Sequence, residues 1–145
     1  MTVKPHLNCP KRYLQKQRIS AMRVFKNISL VVLIIGYTFA GINHFWHPGG
    51  YISIIPHYIP YPVLMNKLAG VFEILLGLML VWPRTRIWAV YGIILMLAAF
   101  LPVHIDMALH APLKLGTLNV TPLGAWLRVA LQPVLMLWVW WHAKA

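Results

Sequence analysis

The stretch that decides the fold is Leu68–Trp82, LAGVFEILLGLMLVW, fifteen residues with one charge and no proline. Hydrocarbon is the natural solvent for such a run, and Glu73 is the exception within it. A carboxylate carried into a bilayer costs about 3 kcal/mol on insertion scales, so it is kept for a partner, a proton or a function. The chain has only one other acid, Asp106.

Outward from this stretch, the composition is that of a membrane protein. Of the 145 residues, 60% are hydrophobic and 10% charged, against about 25% charged in soluble domains. Four segments have the roughly 20-residue length a bilayer requires: about 27–45, 63–82, 87–107 and 123–141. They predict an all-α, four-helix transmembrane up-down bundle (27–145) preceded by a basic arm (1–26). The Thr38-Phe39-Ala40 sequence loosely resembles a cleavage site, but the long basic region before it and the three spans after it predict an uncleaved first span.

Charge sets the expected orientation. Seven of the thirteen Lys and Arg residues, from Lys4 to Lys26, precede the first span. Arg84 and Arg86 lie in the 83–86 connection, expected as a tight turn, and Lys144 follows the fourth span. Basic loops stay in the cytoplasm, which predicts an N-in, C-in topology. The net charge of +11 comes with no nucleic-acid recognition motif, so the arm predicts lipid contact rather than nucleic acid. It is expected to be an amphipathic helix on the inner leaflet, turning into the first span, or a disordered tail. Trp82, Trp88, Trp138, Trp140 and Trp141 are expected as inner interfacial anchors, and Trp46 and Trp126 as outer ones. The segment 47–62 has prolines at 56, 60 and 62, which forbid a continuous helix; it predicts an interfacial segment or a lid. Cys9 is the only cysteine, which excludes intramolecular CxxC dithiol chemistry.

At 1.5 Å rise per residue, Asn43, His44, Glu73, His104, Asp106, Arg128 and Gln132 all fall in the outer half of the bundle. No base lies one turn from Glu73, so its partner is expected from another helix, with Arg128 and His104 as candidates. A register-fixing buried pair and a ligand or proton site are both open readings. Gly70 and Gly77 share the Glu73 face and predict close helix packing. His44 and His47 are one turn apart, but spacing fixes no third ligand, and no metal site is expected.

The segments 40–45 (AGINHF) with Pro48, Tyr51 and Ile55-Pro56, then 69–74 (AGVFEI) with Gly77, Pro83-Arg84-Thr85-Arg86, and 101–108 (LPVHIDMA), together resemble the DoxX-like family of small bacterial membrane proteins. The resemblance spans about Val32 to Trp141. It implies a four-helix inner-membrane bundle associated with redox systems, in some relatives as a thiosulfate:quinone oxidoreductase subunit. Glu73 and Arg128 follow the family pattern; His104 stands where relatives usually carry Asn. The expectation is thus an accessory protein, not an enzyme by itself, with a quinone or similar apolar ligand, lipid, redox subunits and further copies of itself as partners. An assembly subunit and an oligomeric solute transporter are the alternative readings.

Overall fold

The structure, a computed structural model, describes residues 9–115 and 118–143. Seven elements follow in order: α1 (Cys9–Trp46), α2 (Pro48–Ile52), α3 (Pro62–Met79), α4 (Pro83–Leu109), β1 (Leu113–Leu115), β2 (Leu118–Val120) and α5 (Pro122–Trp140). The helices α1, α3, α4 and α5 are long and apolar enough to cross a membrane. The chain is an all-helical, multi-pass bundle, as its hydropathy predicts. Lys4 and Lys144 lie outside the described residues.

Proline sets the helix starts. Pro62, Pro83 and Pro122 each open a helix, the position where a missing N–H costs nothing and the fixed φ already suits the helix. This corrects the expected turn at 83–86: those residues are the first turn of α4. The turn is shorter, and the side chains of α4 close the end of α3. Thr85 Oγ1 donates to the Met79 carbonyl (2.7 Å) and Arg86 Nε to the Leu80 carbonyl (3.1 Å), satisfying acceptors that a helix end otherwise leaves bare.

The arm is helical, the first of its two expected forms, but continues straight into the first span's helix without a break. Helix α1 runs unbroken for 38 residues, so from Cys9 onward the arm is neither disordered nor bent away from the first span. No glycine or proline occurs between Lys11 and Ile35 to break it. The small hairpin β1–β2, pairing Lys114 with Asn119, was not expected. Its apolar alternation on either side of Gly116 is the signal a hairpin leaves.

Helix α1 packs along α3, and α4 along α5. At the basic end, which carries the arm and the α3–α4 turn, the two pairs close on a core of Leu33, Leu80, Val90, Ile93 and Val139. There Trp138 Nε1 donates to Ser29 Oγ (2.7 Å), and Ser29 Oγ meets His142 Nε2 at 3.1 Å. Trp138 therefore turns inward, while the other six tryptophans are exposed at the span ends. At the opposite, loop end, Ile54 packs with Met107, Ala108 and Ala125, so the proline-rich segment folds over the bundle as a lid.

Candidate functional site

Between the closed basic end and the lid, α3 and α4 part around a cavity of about 580 Å³. That is the size range of small-molecule pockets. Its walls are mainly apolar: Met65, Ala69 and Phe72 from α3, and Met96, Ala99 and Phe100 from α4. Ile54, Ile55 and Ile59 roof it, and Leu76 and Gly92 lie at its deeper end. Leu68, Phe72 and Leu95 line the cavity and are also exposed on the outer surface, Leu95 at 72%. The gap between α3 and α4 thus opens sideways, where the bilayer lies.

Polar groups enter this cavity from all four long helices and from α2. His44, Tyr51, Asn66, Glu73, His104 and Arg128 line it. Glu73 is 8% exposed and faces this space rather than lipid. Its nearest base is a correction to the expected pairing: His44 Nε2 stands 3.5 Å from Glu73 Oε2. Among the described residues no carboxylate lies within ion-pair distance of Arg128, which is exposed and shares the cavity with Glu73 without touching it.

Glycine explains why His44 reaches the carboxylate first. A Cβ on Gly41 would lie 2.7 Å from the Gly70 carbonyl oxygen, and one on Gly70 2.8 Å from the Gly41 oxygen. The backbones of α1 and α3 touch there, and a Cβ on Gly77 would lie 3.0 Å from the Thr38 hydroxyl and 3.2 Å from the Thr38 backbone nitrogen. This is small-residue packing of membrane helices, as Gly70 and Gly77 predict. It seats His44 directly over the α3 face that carries Asn66, Gly70, Glu73 and Gly77, all buried.

The His44 ring is held by Asn66 and Tyr51. Asn66 Nδ2 donates to the His44 backbone carbonyl at 3.0 Å, which leaves Asn66 Oδ1 as acceptor for His44 Nδ1 at 2.7 Å. Tyr51 stacks on the ring with centroids 3.8 Å apart, and its hydroxyl accepts from Asn43 Nδ2 at 2.8 Å. With hydrogen on Nδ1, the ring turns Nε2 toward Glu73. His44 Nε2 and Glu73 Oε2 thus face one another beside an apolar cavity. Glu73 Oε2 makes no hydrogen bond of acceptable geometry; the contact with His44 is one of proximity and charge.

The remaining expected residues separate. His104 lines the cavity and is bonded through Nδ1 to Gln132 Nε2. Gln132 is buried behind it, with its Oε1 unpartnered. Asn43 stands behind Tyr51 and also meets His47 Nδ1 through Oδ1 at 2.8 Å. Asp106 does not join them. It lies 3.6 Å from His110 on an outward face of α4, because a two-residue step from His104 turns it away and Pro102 does not restore it. Among the described residues no three His, Cys, Asp or Glu side chains gather to hold a metal ion.

Asn66 and Tyr51 were not foreseen as site residues. Asn66 lies seven residues before Glu73 with Gly70 between, a spacing that puts all three on one helix face.

A family model described as a domain of unknown function, DUF8561, matches residues 33–143. No curated protein and no solved structure matches the chain.

Proposed function

The chain belongs to the DUF8561 family, and we propose that it is an accessory protein of a membrane redox system that takes a quinone or similar amphiphile from the bilayer into its cavity. The observation that carries this reading is the buried His44–Glu73 pair, 3.5 Å apart, at the side of an apolar cavity that opens toward lipid. An apolar tail can lie across Leu68, Phe72 and Leu95 while a polar ring passes between α3 and α4. The pair has one exchangeable proton. It can give a hydrogen bond to a quinone oxygen or take one from a quinol hydroxyl, as the oxidation state of the ring requires. His104 and Arg128 line the same cavity and favour electron-rich oxygens.

The resemblance to the DoxX-like family supports the redox association. The positive-inside rule supports a bacterial inner membrane with the arm in the cytoplasm and the cavity in the outer half. Electrons would come from or go to a partner redox subunit, since the chain's own residues offer no electron carrier. In the rival reading, an assembly subunit, the polar cluster only fixes helix register.

The test uses purified protein in lipid nanodiscs, titrated with short-tailed ubiquinone and ubiquinol analogues between pH 5.5 and 8. Wild type is expected to bind both, with a preference that changes with pH. Glu73→Gln, which has no exchangeable proton, is expected to bind about tenfold more weakly, the loss of one charge-assisted hydrogen bond, and with a flat pH profile. Unchanged affinity and an unchanged profile would discard the reading in favour of the assembly role.

A further inference from the structure

The outward face of α1 carries a feature the cavity does not use. Leu14, Ala21, Ile28, Ile35 and Ile42 recur every seven residues. Arg18, Phe25, Val32, Phe39 and Trp46 recur in the same period, four residues later. The alternating four-and-three spacing over five heptads is the seam of a left-handed coiled coil. Every seam position except Ile42, which is half-buried, is exposed, Leu14 and Phe25 each at 65%.

Within the span, an apolar outward stripe needs no explanation beyond lipid. Residues 13–24 are different, because there α1 continues in one unbroken helix beyond Phe25 and Lys26, against which Trp141 packs. Because the extension prolongs the span itself, and 38 residues exceed the roughly 20 a bilayer needs, this part of the face is carried out of the hydrocarbon core. At 1.5 Å per residue the extension reaches about 20 Å beyond the span, with Leu14, Ala21 and Phe25 still in line with the stripe below them.

Charge is sorted to match. The positions flanking the seam in the extension are Gln15, Gln17, Met22 and Val24, none of them charged. Lys16, Arg23 and Lys26 lie on the far side of the helix, on the face that becomes the bundle-packing face at Leu30, Leu33 and Tyr37. Two such helices side by side would keep Lys16, Arg23 and Lys26 away from their counterparts and bring only Arg18 beside its own. Arg18 is the one polar seam residue, and a single polar seam residue of this kind sets register and strand number in coiled coils.

We infer that α1 pairs in parallel with α1 of a second copy of this chain along this seam, from the membrane span through the basic extension. Both copies insert with the same orientation, so a twofold axis along the seam sets each residue beside its own counterpart. Trp141, whose ring lies 6.0 Å from that of Phe25, would flank the seam where the extension begins. The cavity mouth, between α3 and α4, stays free for its ligand.

Single cysteines test this in a Cys9→Ala background, with the purified chain reconstituted at low density in phosphatidylethanolamine–phosphatidylglycerol vesicles. Leu14→Cys, Ala21→Cys and Ile28→Cys are expected to oxidise to dimers at least about fivefold faster than Lys16→Cys and Arg23→Cys, because only seam positions bring Cα atoms within disulfide reach. Phe25→Glu is expected to abolish the crosslink at Ile28→Cys and to turn two-step photobleaching of labelled protein into one-step. Leu14, Lys16, Ala21, Arg23, Phe25 and Ile28 are all exposed, and circular dichroism verifies that helix content is kept. Equal crosslinking at all five positions, crosslinking no faster than at Lys16→Cys, or one-step bleaching of the wild-type chain would overturn the pairing. So would wild-type membranes in which the seam cysteines crosslink only to a different protein.

Discussion

The two ends of this bundle each bury a histidine, and they do opposite things with it. At the basic end, His142 is 1% exposed. It meets Ser29, which in turn accepts from Trp138, and a continuous apolar core surrounds the three. At the loop end, His44 is held as firmly by Asn66 and Tyr51, yet it points its free nitrogen at a carboxylate oxygen that has no hydrogen bond. A 580 Å³ cavity lies beside it. The first arrangement closes on itself; the second leaves bonding capacity directed at open space. Buried polar groups in membrane helices are usually satisfied because hydrocarbon offers them nothing. The difference between lock and site is therefore whether the partners add up.

Removing the glycine contact would break the comparison most severely. Gly41→Ala places a Cβ within 3 Å of the Gly70 oxygen and the Ile74 nitrogen, and backbone atoms cannot turn aside. Helices α1 and α3 must separate, at a cost of about 3 kcal/mol. Thermal unfolding in detergent should show it, and quinone binding should fall with it because His44 withdraws from Glu73. Wild-type stability in Gly41→Ala would mean that the helices do not touch as described.

His142→Ala comes next. It empties a fully buried position and strands the Ser29 hydroxyl, for an expected loss of about 2 kcal/mol. Ligand binding at the far end should remain at the wild-type level. Equal losses of stability and binding would show that the two ends are one cooperative unit, and the contrast between them would disappear.

The sequence shows the spans and hides the partners, for a physical reason. Hydropathy and length depend on one helix at a time, so 27–45, 63–82, 87–107 and 123–141 fall close to the helices observed. Pro62, Pro83 and Pro122 could have refined their starts. Which base meets Glu73 depends on the rotation and approach of two helices. His44, His104 and Arg128 all lie at suitable depth, and only the Gly41–Gly70 contact selects among them. Asp106 had the right depth and the wrong face. The Ser29–Trp138–His142 chain joins residues 113 apart in sequence and has no local signature. The arm's continuity with the first span is written only as an absence, that of any glycine or proline between Lys11 and Ile35, while its charge masks the helix from hydropathy.

A smaller effect separates the ends by pH. Burial, then the nearby charges of Lys26 and Arg86, holds the His142 imidazole below its ordinary 6.5. The unfolded chain takes up a proton near 6.5 that the folded one refuses. Stability is thus complete above that pH and falls as pH drops below it, until the folded imidazole also titrates. The thermal midpoint should decline below pH 6.5, and His142→Gln should flatten that decline relative to wild type. An identical decline in His142→Gln would place its origin elsewhere in the bundle.

The smallest change in stability is expected at the residue with the largest part in the proposed chemistry. Glu73 Oε2 has no hydrogen bond to lose, and the amide of Glu73→Gln can offer His44 Nε2 an N–H. Folding should therefore change by less than about 1 kcal/mol, in a residue as buried as many whose truncation costs several times more. A structural lock behaves otherwise: breaking one partner of a buried, compensated pair costs about 3–5 kcal/mol. Glu73→Gln protein that unfolds at the wild-type midpoint while binding quinol poorly would make the carboxylate a group retained for its proton. If the midpoint instead drops as far as in His142→Ala, the loop end is a second lock, and the cavity beside it loses its chemical argument.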